Sequence, residues 1–165
     1  MDIAGSAQQA QDRNVHKLNE ASQMSHIQML LGLIRAWKAR DIDGVLAFMH
    51  DDIVWHYAAV IAPPLKGKAK ARKLLEGMAL QVRDVTWRIF DYAAKGERLF
   101  VEGVDEYVST DGRLISAPYA GVVEFRGGKI IALREYFDMG AVNGLKSGEA
   151  MKEHVRALIA REAVA

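Results

Sequence analysis

The sequence predicts an α+β domain in which a curved antiparallel sheet wraps around N-terminal helices into a cone with a central pocket. Three observations carry that expectation. Helical apolar spacing fills the first half of the chain and returns only at its end, four long alternating runs fill most of the second half, and glycine-bearing turns separate those runs. A bent sheet closed over helices has a mouth, and a mouth is where a small ligand enters.

Taken in order, residues 1–24 are rich in Ala, Gln, Asn and Ser and read as a flexible or partly helical arm. From Ser25, apolar Ile27, Leu30, Leu31, Ile34 and Trp37 recur at spacings of three and four, which makes a helix. Asp41 is placed to N-cap a second, short helix carrying Val45, Leu46 and Met49. A strand follows at Ile53–Ala59 and Pro63-Pro64 stops it. Gly67 precedes a third helix whose apolar stripe is Ala71, Leu74, Leu75 and Met78. The runs Asp84–Ala93, Leu99–Ser109, Leu114–Phe125 and Lys129–Asp138 then form a meander, with hairpin turns at Lys95-Gly96, Asp111-Gly112 and Gly127-Gly128. Gly140, Asn143 and Gly144 loosen the chain before a terminal helix from Ser147 carrying Met151, Val155, Leu158 and Ile159. The expected organisation is therefore an arm over 1–24, a cone-shaped unit over 25–146 and a C-terminal helix over 147–165.

Composition excludes several classes of function. The 165 residues include 22 basic and 21 acidic side chains, a balance that argues against the basic stripe of a nucleic-acid binder. No cysteine is present, which removes disulfides, zinc ribbons and thiol nucleophiles and fits a reducing cytoplasm. No run approaches the roughly 18 apolar residues that span a bilayer, and the polar N-terminus lacks the apolar core of a signal peptide. The five histidines are scattered without metal-ligand spacing, and no phosphate loop, dinucleotide fingerprint or nucleophile elbow appears. No metal or cofactor is expected.

The chemistry must then come from polar residues on apolar strand faces, since side chains alternate with period two. On Leu99–Tyr107 the odd face is Leu99, Val101, Gly103, Asp105 and Tyr107, with Asp105 its only charge; Glu102 and Glu106 lie on the other face. The last strand repeats the arrangement, with Glu135 alone among Ile131, Leu133 and Phe137. A lone carboxylate costs several kcal/mol, roughly, to ionise on such a face, and its desolvation raises its pKa toward general acid–base work. Three-residue loops at 110–112 and 126–128 put Asp105 opposite Ala117, Gly103 opposite Tyr119 and Tyr119 opposite Glu135. Both acids then share one face, two strands apart and offset by one pleat. Trp55 and Tyr57 share a face on the first strand, His56 points away from them, and Lys66, Lys68, Lys70, Arg72 and Lys73 read as the solvated start of a helix.

The segments HDDIVWHY (50–57), PPLKGKAKA (63–71), FVEGVDEY (100–107) and GVVEFRGGKIIALREYFDMG (121–140) resemble the nuclear-transport-factor-2-like superfamily. Ketosteroid isomerase, scytalone dehydratase and polyketide cyclases belong to it, and within it the likeness is strongest to limonene epoxide hydrolase. The resemblance spans about residues 26–140. In that hydrolase an Asp-Arg-Asp trio opens the epoxide while a Tyr and an Asn hold the attacking water. The resemblance places the acid-donating Asp on Asp105 and the water-activating Asp on Glu135. It places the bridging Arg on Gly103, the Tyr on Trp55 or Tyr57, and the Asn on Tyr57 or Ala59.

A carboxylate pair without the Arg suits proton transfer better than water attack. The expectation is a cofactor-independent lyase that breaks a C–O or C–C bond in a hydrophobic aromatic or terpenoid molecule. Asp105 and Glu135 share acid and base duties, Tyr57 bonds a substrate oxygen, and Trp55, Met78, Tyr107, Ala117, Tyr119 and Phe137 line the pocket. The alternatives are an epoxide hydrolase, an isomerase and a non-catalytic ligand-binding module. A homodimer is also expected, because Phe90, Val104, Val108 and Tyr136 are large apolar residues for a wet sheet face.

Overall fold

The apolar spacing from Ile27 to Trp37 produces helix α1, 25–38, which buries Ile27, Leu30, Leu31, Leu33, Ile34 and Trp37. The computed structural model describes residues 25–164 together with Gln9, Gln11 and Val15, which are helical; the rest of the N-terminal arm lies outside the described residues. Asp41 caps α2 (Ile42–Ala47) by accepting from the Gly44 N–H at 2.8 Å. Met49, expected on that helix, opens strand β1 (Met49–His56) instead and is buried there. β1 therefore starts and stops earlier than expected. Its end at His56 precedes the prolines, because residues 57–60 already form a turn.

The two-residue strand β2 (Leu65–Lys66) pairs with β1, and α3 (Lys68–Ala79) follows from Gly67, whose φ of +86° favours glycine. The run expected as Asp84–Ala93 is divided into β3 (Val82–Val85) and β4 (Arg88–Lys95). Both pair with β5 (Arg98–Ser109), with Val85 opposite Tyr107 and Arg88 opposite Val104. The register thus runs unbroken across Thr86 and Trp87, so the break bends the line of chain without slipping it. β6 (Leu114–Arg126) and β7 (Lys129–Phe137) complete a sheet ordered β2-β1-β7-β6-β5-β3, in which β1 and β7 alone run parallel. The concave face holds the main core against α1, α2 and α3.

The β5–β6 hairpin has the expected register, with Asp105 opposite Ala117 and Gly103 opposite Tyr119. Gly112, at φ +88°, occupies the left-handed position that its three-residue loop requires. The β6–β7 hairpin differs. Its loop is only Gly127-Gly128, both at positive φ, and a bulge between Glu124 and Phe125 in the ladder leaves Ile131 unpaired. Tyr119 consequently faces Phe137, and Glu135 faces Gly121. The offset between the two acids becomes two pleats, not one. The two-residue loop alone reverses the inward face, and the bulge restores it.

Two further differences concern the C-terminal part. Residues 139–147, expected as loose chain, form α4 (Met139–Ser147), which Asp138 caps by accepting from the Ala141 N–H at 3.1 Å. The cap and the packing of Val142 on Ile115 and Ala117 override the weak helix propensity of Gly140 and Gly144. The terminal helix is short, α5 (Glu153–Ile159), and it covers the convex face: Ile159 and Met151 pack on Phe90 and Val104. Two of the residues that suggested a dimer are thus buried by the chain itself, while Tyr136 remains 44% exposed. No helix among the described residues is long and apolar enough to cross a membrane.

Candidate active site

The curl of the sheet leaves a cavity of about 420 Å³ between its concave face and the helices. Its size is that of a small-molecule site. β5 supplies Asp105 and Tyr107, β6 supplies Ala117 and Tyr119, and β7 supplies Leu133, Glu135 and Phe137. Trp55 enters from β1, Tyr57 from the turn that follows it, and Met78 from α3. All nine residues singled out in the sequence therefore meet around one space. Period-two alternation puts them there, because every strand contribution is odd-numbered on its own strand.

The two acids are the only carboxylates on that lining among the described residues. Burial pushes the Asp105 carboxyl up to about 6. Burial pushes Glu135 further, to about 8, and the negative charge of Asp105 adds to it; the Trp55 indole N–H, donating to Glu135 Oε2 at 2.9 Å, opposes the rise. Near neutral pH Asp105 is thus mostly carboxylate and Glu135 mostly acid. Two groups of one chemical kind are set to opposite duties by their surroundings.

The phenols are donors in the same pH range. Burial holds Tyr119 well above its ordinary value, and burial with the Asp105 charge raises Tyr107. The Trp87 indole N–H donates to Tyr119 Oη at 2.7 Å, so the proton of that hydroxyl is left to point elsewhere. Tyr119 lies between two glycines: a Cβ on Gly103 or on Gly121 stands 3.1 Å from its ring. At Gly103 a Cβ also comes within 2.3 Å of the Arg88 carbonyl oxygen. The place that the resemblance gives to an Arg is closed to any side chain, and no arginine lines the cavity among the described residues.

Trp87, Lys73, Gln81 and Lys146 also line the cavity and were not among the expected site residues. Parity with Val85 and Ile89 is the signal that aims Trp87 inward. Lys73 belongs to a basic run that reads as solvated, and Lys146 sits on α4, whose glycines hide the helix. His56 is not on the lining. No group of three or more His, Cys, Asp or Glu among the described residues is set to hold a metal ion.

Residues 30–133 match the family model of the SnoaL-like domain. Among solved structures, an LEH-like epoxide hydrolase of M. tuberculosis is 24% identical, covering 84% of this chain and 98% of its own at a TM-score of 0.67. TerC, co-crystallised with polyporic acid, is 22% identical over 75% of this chain and 99% of its own, with a TM-score of 0.66. A protein of Xanthomonas campestris pv. campestris assigned as a polyketide cyclase is 19% identical over 74% of this chain and 98% of its own, at 0.62. At these identities the likeness establishes the fold. No curated protein matches the chain.

Proposed function

Since the chain belongs to the SnoaL-like domain family of the nuclear-transport-factor-2-like superfamily, we propose that it is a cofactor-independent acid–base lyase acting on an apolar aromatic or terpenoid molecule. The observation that carries this reading is the pair of carboxyls in one apolar cavity, one near 6 and the other near 8. Such a pair takes a proton at one point of a substrate and gives one at another without help from a metal or nucleotide. Structural neighbours that include an epoxide hydrolase and a polyketide-cyclase assignment support an enzyme of small organic molecules.

In the C–O reaction, the Asp105 carboxylate takes a proton from the carbon beside a carbonyl. The electron pair moves into a new C=C bond, and the C–O bond breaks as Glu135 protonates the leaving oxygen. Asp105 ends protonated and Glu135 ionised, and exchange with water restores both. In the C–C variant, Asp105 takes a hydroxyl proton, the bond cleaves, and Glu135 protonates the carbon released. Tyr57 donates a hydrogen bond to the substrate oxygen that gathers charge. Trp55, Met78, Tyr107, Ala117, Tyr119 and Phe137 hold the skeleton. The closure of position 103 argues against epoxide opening by an Asp-Arg-Asp trio.

The test is a panel of aromatic and terpenoid β-hydroxy ketones and epoxides, followed by mass spectrometry with wild type and Asp105→Asn. The lyase reading expects loss of water or a fragment from the hydroxy ketones, abolished in the variant. Diols from the epoxides alone, or turnover that survives in Asp105→Asn, overturn it.

A further inference from the structure

The chemistry above uses Asp105, Glu135 and Tyr57 and leaves the cavity's mouth at the helices unassigned. That mouth opens between α3 and α4. Lys73, Gly77 and Gln81 stand on one side and Met139, Val142 and Lys146 on the other. Lys73, Gln81 and Lys146 are exposed at this end; Tyr57, on the turn after β1, is the other exposed residue of the lining among the described residues. On α3, Lys68 is paired with Asp51 at 3.0 Å and Arg72 with Asp43 at 2.5 Å. Lys73 and Lys146 have no such ion pair among the described residues. An adjoining depression shares Met78, Gln81, Tyr107 and Lys146 with the cavity and adds Arg113, whose guanidinium donates to the Lys146 carbonyl and lies 3.4 Å from Asp111.

The site is therefore polarised along its length. Two ammonium groups without an ion pair among the described residues frame the entrance, apolar walls follow, and both carboxyls lie inside. A field of that sense sorts ligands by where their charge sits. An anionic group driven inward meets the Asp105 carboxylate in an apolar setting, whereas the same group left at the mouth meets two cations in contact with water.

We propose that the substrate is an apolar acid whose aromatic or terpenoid skeleton fills the cavity while a carboxylate, or another single anionic group, is held at the mouth by Lys73 and Lys146. The proposal rests on the small-molecule reading of the cavity given above. It adds a direction of entry: anion outward, and the reacting bond delivered to Asp105 and Glu135. The lysines are specificity determinants and take no part in bond breaking.

Trp37, Trp55 and Trp87 all line the cavity, so quenching of intrinsic fluorescence reports its occupation. The full chain is titrated near neutral pH and at low salt with 2-naphthoate and with its neutral isostere 2-naphthamide. Naphthoate is expected to bind about tenfold more tightly, as two partly hydrated charge contacts allow. The advantage should shrink at high salt. Lys73→Met with Lys146→Met should erase it, each single variant should lose about threefold, and Lys70→Met, on the same helix but off the lining, should keep it. Equal binding of the two probes, or a preference that survives the double substitution, overturns the proposal and leaves the cavity reading standing. Failure of both probes to bind at millimolar concentration overturns the cavity reading and this one with it.

Discussion

Asp105 and Glu106 are neighbours on β5, yet they live in opposite worlds. Glu106, on the convex face, accepts from the Ser116 hydroxyl at 2.6 Å and lies 3.9 Å from the Arg88 guanidinium. Two residues earlier on that face, Glu102 holds both arms of Arg161 at 2.7 and 3.0 Å. Asp105, on the concave face, makes no ion pair among the described residues, and Glu135 has only the neutral Trp55 donor. The Arg161 hydrogen bond draws the Glu102 carboxyl below its ordinary value, while burial lifts both inner acids. The fold compensates acids where they serve packing. It leaves them uncompensated where a proton can be used, at a cost the core must carry.

The largest expected effect follows from that contrast. Asp105→Asn and Glu135→Gln should each lower kcat by about 10²-fold or more, since an amide keeps shape and hydrogen bonding but cannot exchange a proton. Both proteins should fold, with denaturation midpoints equal to wild type or higher, because an uncompensated ionisable group leaves an apolar face. Steady-state kinetics beside urea melts check the two halves. Full turnover in either variant breaks the distinction between the faces.

Acidity sharpens the same comparison. Both inner carboxyls have folded-state values above those of the unfolded chain, so the folded state binds their protons more tightly. Their contribution to stability is largest in acid, falls as pH rises from about 3.8 to about 6 for Asp105 and from about 4.5 to about 8 for Glu135, and is flat beyond. Glu102 behaves in the opposite sense. Its contribution is present above the ordinary carboxylate range and is lost as pH falls through its lowered value. Above pH 8, Glu135→Gln should therefore be more stable than wild type in urea melts. The pH–rate profile of the wild type should be a bell with limbs near 6 and 8. A profile flat across that interval removes the base–acid assignment.

These two faces were legible in the sequence to different degrees. Period two along β5 puts Asp105 inward on any pairing, and the Asp111-Gly112 turn sets the register of β6 beside it. The inward face of Glu135 survives for a reason the sequence does not display: the short Gly127-Gly128 turn and the unpaired Ile131 cancel in parity. The convex face was poorly legible. Its cover comes from Ile159 reaching Phe90 and Val104, contacts between residues far apart in the chain that no local pattern announces. α4 stayed hidden because tertiary packing of Val142 outweighs two glycines. With α4 went Lys146 and half of the cavity's mouth.

A smaller effect is expected one contact away from the acids. Trp55→Phe keeps the packed ring but removes the N–H that donates to Glu135. That bond is what opposes the rise of the Glu135 pKa, so its loss should lift that carboxyl further and move the alkaline limb of the pH–rate bell upward, with kcat reduced about tenfold. The shift separates this role from simple packing, which lowers the rate without moving the limb. An unmoved limb argues that the indole only fills space.

The smallest effects belong to the convex face. Glu106→Gln retains an amide oxygen that can still accept from the Ser116 hydroxyl, so it should lose only the weak, long contact to Arg88. A destabilisation of about 1 kcal/mol or less is expected in urea melts. Glu102→Gln breaks the fork with Arg161, but the pair is exposed, at 49% and 40% for the two side chains, and water already screens it. Its midpoint should stay close to wild type. Neither substitution should change kcat by more than about twofold, because the sheet lies between these side chains and the cavity and no charge is moved inside it. Loss of turnover in Glu102→Gln or Glu106→Gln, with Asp105→Asn still active, reverses the assignment of the two faces and moves the reactive site to the side that α5 covers.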